Sequence, residues 1–77
     1  MYSVTGLSVV RFERLRRGIK AKEVAEAAGL TPPKYRFFER GEKYRGLSES
    51  ALAGISAYLG VPQDMLADKN GNARMLA

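Results

Sequence analysis

The sequence contains no cysteine and no histidine. The first absence removes disulfides. Together the two leave only weak ligands for zinc, and neither a thiol nucleophile nor an imidazole base. No serine stands beside a plausible activator. Glu23 with Glu26, and Asp64 with Asp68, fall at one-turn spacings that solvated helices produce constantly. The chain is therefore expected not to be an enzyme and to need no cofactor or metal. Long apolar runs are missing too: none approaches the roughly 18 residues that cross a bilayer. The N-terminus has no basic segment followed by an apolar run, so no secretory signal is evident. The expectation is a cytoplasmic protein that makes no use of a membrane.

Acidic residues are scarce in one part of the chain only. Residues 1–46 hold 11 Lys and Arg against 5 Glu, a net of +6, whereas residues 47–77 carry a net of −1. Ordinary solvation does not need this segregation, but a polyanion-binding face does. No glycine-aromatic stacking signature points to RNA.

What is present is a helical pattern. A share of 45% apolar and 27% charged residues suits a soluble globular fold, and 77 residues suit one small domain with a single modest core. We expect a single domain over 1–77, its core at about 8–67, with Met1–Gly6 as a lead-in and Ala73–Ala77 as a loose tail. Val9, Phe12, Leu15 and Ile19 follow one helical face, which predicts helix 1 over about Ser8–Arg17 with that face inward, stopped by Gly18. The arginines at 11, 14, 16 and 17 are read as solvating and pairing charges. Helix 2 is expected over Ala21–Ala28, burying Val24 and Ala25, with small side chains that let another helix come close.

Gly29 suits the positive φ of a tight turn, Thr31 can cap the next helix, and Pro32 fits its first position. Leu30 and Tyr35 are spaced as a hydrophobic staple. Helix 3 is expected from Pro32 to about Arg40. After a polar loop carrying Lys43, Tyr44 and Arg45, Ser48 caps helix 4, whose buried stripe is Leu52, Ile55 and Leu59. Gly60 ends it, and Pro62 opens a last short helix with Met65 and Leu66. The fold class is all-α, with five helices. Two helices joined as tightly as helices 2 and 3 form a helix-turn-helix.

At about 100° per residue, Tyr35 and Phe38 set the inward direction of helix 3, and Arg40, Pro33, Arg36 and Phe37 point away from it, with Lys34 on the flank. Arg36 and Arg40 can pair with guanine or clamp phosphate, and Phe37 and Pro33 offer apolar surface for a thymine methyl.

From about Phe12 to Leu66 the chain resembles the lambda-repressor-like, Cro/Xre helix-turn-helix family. The matching residues are Val24-Ala25, Gly29-Leu30-Thr31, Phe38-Glu39-Arg40-Gly41, Leu59-Gly60-Val61 and Asp64-Met65-Leu66. The resemblance implies a compact five-helix domain that acts as a homodimer on a two-half-site double-stranded DNA operator, in a bacterial cell or phage-infected host. It implies base contacts from Pro32, Pro33, Arg36 and Phe37. It implies phosphate contacts from Lys22, Lys43 and Arg45, to which Lys34, Arg40 and Tyr44 add by position. It also implies a structural pair between Glu39 and Arg14 or Arg16. The family often opens helix 2 with Ser or Thr followed by Gln; here those positions are Lys20 and Ala21, and Ala21 cannot bond a base. Pro32 and Pro33 remove two amides and two polar readers, so readout leans on Arg36, Phe37, phosphate contacts or DNA shape. A transcriptional repressor of phage or plasmid type is expected, with RNA polymerase as the partner excluded or touched. A restriction-modification controller, or an antitoxin-type module that covers a protein partner through Phe37, Tyr44 and the C-terminal apolar residues, is the alternative.

Overall fold

The computed structural model describes residues 7–42 and 46–76. Five helices follow in order: α1 Val9–Arg16, α2 Ala21–Ala27, α3 Pro32–Glu39, α4 Glu49–Leu59 and α5 Gln63–Leu66. Among the described residues the only β pairing is two isolated antiparallel bridges, so the class is all-α as expected. The lead-in Met1–Gly6 and the loop Lys43–Arg45 lie outside the described residues.

Local chemistry sets the helix limits. The hydroxyls of Ser8 and Ser48 accept from the amides of Arg11 and Ala51, capping α1 and α4. Gly60 stops α4 in the left-handed conformation. The core centres on Val24, Ala25, Tyr35, Phe38, Ile55 and Leu66, so α2 packs against both α3 and α4 and α4 packs against α5. The α2–α4 approach is close because it is made of small residues. A Cβ on Gly54 would meet the carbonyl oxygen of Ala27 at 2.7 Å.

Two expectations need correction. The inward face of α1 is not the Val9–Phe12–Leu15 stripe: Val10 is fully buried, Val9 and Ile19 only partly, and Phe12 and Leu15 are 42% and 53% exposed. Polar anchors decide this rotation. The buried Ser8 hydroxyl donates to the Glu39 carbonyl at 2.6 Å, and the Arg14 guanidinium, one turn beyond Val10, binds the Glu39 carboxylate. Phe12 stands ~200° round from Val10, on the outer side.

The second correction concerns the C-terminal residues, which do not form a loose tail. The Asp68 carboxylate accepts from the amides of Asn70 and Asn72, closing a turn that sends the chain back. The Arg74 amide then donates to the Leu66 carbonyl at 3.0 Å, and the Arg74 carbonyl accepts from the Val9 amide at 2.8 Å. The Leu76 amide donates to the Leu7 carbonyl at 2.9 Å, and the Leu47 amide donates to the Gly71 carbonyl at 2.9 Å. The returning segment therefore ties together the start of α1, the end of α5 and the entry to α4.

Candidate nucleic-acid interface

The turn between α2 and α3 is built as its residue types require. Gly29 adopts φ +70° with nothing near its missing Cβ, so conformation alone demands glycine there. Leu30 lies against the core that contains Tyr35. Thr31 takes the N-cap position of α3, but its side chain makes no capping hydrogen bond. Pro32 and Pro33 have no N–H to offer, so most of what a cap serves is absent.

Three residues hold α3 from within: Tyr35, Phe38 and Glu39 are buried. Glu39 is matched by Arg14, whose Nη2 donates to it at 2.6 Å and whose Nε lies 3.2 Å from both carboxylate oxygens. The structural pair is therefore Arg14, not Arg16, which binds Glu13 at 3.0 Å, with Arg17 on the same carboxylate. Arg14 also donates to the Ile19 carbonyl at 2.8 Å, which fastens the α1–α2 turn. Burial works to lower the Arg14 pKa, but the Glu39 hydrogen bond and charge outweigh it, and the guanidinium stays charged. The Tyr35 hydroxyl is buried without a well-formed hydrogen bond among the described residues. Desolvation first, and then the Glu39 carboxylate, push its pKa far above the ordinary tyrosine value.

With that face locked, α3 presents Pro32, Pro33, Lys34, Arg36, Phe37 and Arg40 outward, all exposed. Arg36 makes no ion pair among the described residues. Arg40 is partly engaged: it binds Glu42 at 2.7 Å, and its guanidinium lies 5.2 Å from the centre of the Phe37 ring. Lys22 is exposed in the first turn of α2, on a different element from the α3 cations. Lys43, Tyr44 and Arg45 fall outside the described residues. Sequence reasoning took Arg11 for a solvating or pairing charge. It lines a hollow with Arg14, Ala21, Arg36, Glu39 and Arg40. The available signal was its place three residues before Arg14, on the same side of α1.

A family model described as a helix-turn-helix domain matches residues 9–68. The chain belongs to the helix-turn-helix domain family. No curated protein and no solved structure gives a match to the chain. The helix-turn-helix match covers all five helices, in keeping with the resemblance to Cro/Xre-like DNA-binding proteins carried by the turn and the end of α3. In a helix-turn-helix the first helix of the pair crosses the DNA backbone and the second enters the major groove. Those elements here are α2 and α3. No helix among the described residues is long and apolar enough to cross a membrane.

Proposed function

We propose that this helix-turn-helix domain is a sequence-specific double-stranded DNA-binding transcriptional regulator, acting as a repressor in the cytoplasm of a bacterial cell or phage-infected host. The observation that carries the reading is Arg36: an exposed guanidinium, unpaired among the described residues, on a helix held in place by its buried Tyr35, Phe38 and Glu39. A pre-set, unpartnered Arg in this position suits bidentate pairing with guanine. Pro32, Pro33 and Phe37 give the same surface an apolar patch for thymine methyls. Lys22, Lys34 and Arg40, with Lys43, Tyr44 and Arg45 of the following loop, supply phosphate contacts. As a homodimer the protein sets two copies of α3 into successive major grooves, about 34–36 Å apart. It represses by occupying a promoter that RNA polymerase needs.

The test is fluorescence anisotropy against duplex fragments, beginning with DNA flanking its own gene, at about 50 and 200 mM salt. One fragment is bound far more tightly than random duplex and keeps its preference at the higher salt. Arg36→Ala removes that preference, at a cost of about 1–3 kcal/mol. Equal binding to all fragments that disappears at higher salt would sink the reading.

A second reading is favoured by one feature. A groove of about 640 Å³ beside α3 is lined by Pro33, Phe37, Phe38 and Leu47, with Thr31, Lys34 and Glu42 at its polar positions. Such a groove suits a protein partner of antitoxin type. Under that reading Arg36→Ala leaves partner binding intact, and Phe37→Ala is the damaging change.

A further inference from the structure

The hollow at the α1–α3 contact contains more positive charge than its one carboxylate can balance. Arg11, Arg14, Arg36 and Arg40 line it with Ala21 and Glu39, around a space of about 200 Å³. Counting those six residues, the formal charge is +3. Glu39 is already saturated by Arg14, with contacts of 2.6, 3.2 and 3.2 Å. Arg11 reaches it only at 3.8 Å, and its side chain remains 47% exposed. Arg40 leans on Glu42, but that pair is open to solvent, 54% and 46% exposed. Exposed pairs of this kind are weak, so Glu42 yields readily to a better anion. Ala21, the first residue of α2, has a side chain too short to fill the space.

We propose that this hollow seats one phosphate of a DNA backbone, held by Arg11 with Arg40 beside it. The inference rests on the DNA-binding reading above and extends its face from α3 onto α1. The geometry favours phosphate over a base edge. The hollow lies at the foot of α3, where α1, α2 and α3 meet; of the base-reading residues only Arg36 reaches its wall, and Pro32, Pro33 and Phe37 do not line it. An arginine fork matches the oxygens of a phosphate, and a groove-bound helix is flanked by phosphates. Arg11 is thus a positioning contact that sets how deeply α3 enters the groove.

The test uses the full chain and the preferred duplex in a salt titration by fluorescence anisotropy. Arg11→Gln weakens binding about 5–10-fold and lowers the slope of log K against log salt by about 1. Arg16→Gln is the matched control: it removes the same charge from α1 at a residue that does not line the hollow. It changes affinity less than about twofold, because a distant exposed charge is screened. Arg11→Lys restores part of the loss. A measurement on the wild-type protein needs no substitution: the Arg11 side-chain Nε resonance shifts on duplex addition. Tight binding with Arg11→Gln indistinguishable from Arg16→Gln, or an Arg11 resonance that does not move, overturns the phosphate seat and leaves the DNA reading standing. Absence of any duplex binding by the wild-type protein overturns both.

Discussion

At the scale of single residues, the buried cluster of Arg14, Tyr35 and Glu39 is where polar chemistry fixes geometry. One guanidinium, one carboxylate and one hydroxyl lie between α1 and α3, and Ser8 adds a bond to the Glu39 carbonyl. Losing one partner of such a buried pair leaves the other uncompensated, which is why the cluster holds α1 in register against α3. Tyr35 gives this cluster a pH signature. Its folded-state pKa is raised above the unfolded value by desolvation and by Glu39. Its contribution to stability is therefore complete below about pH 10 and is lost progressively as pH rises beyond it. Denaturant titrations between pH 7 and 11 are expected to show wild-type stability falling above pH 10 more steeply than that of Tyr35→Phe. Parallel curves would place the tyrosine ring outside the titration.

At the scale of elements, the limits and order of the helices were legible because they rest on local signals. Serine caps, a proline at the start of α3 and glycines at the ends act over three or four residues, and all five helices stand within a residue or two of where those signals put them. Thr31 shows the limit of a local rule: two prolines after it change what a cap can do. The small residues of α2 were also informative, since Ala27 and Ala28 face Gly54 of α4. Gly54→Ala tests that contact. Helix propensity alone favours alanine by about 1 kcal/mol. The added methyl, however, meets the backbone oxygen of Ala27 at 2.7 Å, which cannot rotate away. Overpacking against backbone costs about 3 kcal/mol. A net loss near 2 kcal/mol is expected in urea unfolding. A stabilised variant would mean that α2 and α4 slide apart freely.

At the scale of the whole molecule, the returning C-terminal segment closes the structure. The Val9 amide belongs to the first turn of α1, where it has no intrahelical acceptor. Here it donates to the carbonyl of Arg74, sixty-five positions along the chain. Hydrogen exchange reads this directly. The Val9 and Arg74 amides are expected to be protected at least ~100-fold, as members of the cooperative core are, instead of exchanging as frayed ends. Exchange at the unprotected rate would return the segment to the status of a tail. The charge asymmetry belongs to this scale as well. Three arginines from α1 and α3 gather with Arg14 around one hollow, although they are spread from position 11 to position 40.

The sequence by itself determined the class, the five helices, the turn, and which residues α3 turns outward. Helical periodicity and capping are short-range, and Tyr35 with Phe38 left α3 only one inward side. The tertiary structure alone decided the rotation of α1, the docking of residues 73–76 and the placing of Arg11 beside Arg36 and Arg40. On α1 the periodicity picked out Val9, Phe12, Leu15 and Ile19, but the residue buried outright is Val10. Buried bonds from Ser8 and Arg14 to Glu39 settled it, since burying that carboxylate without its partners would cost more than exposing Phe12 and Leu15. For residues 73–76 the deciding bonds are backbone to backbone, and no side-chain pattern records them.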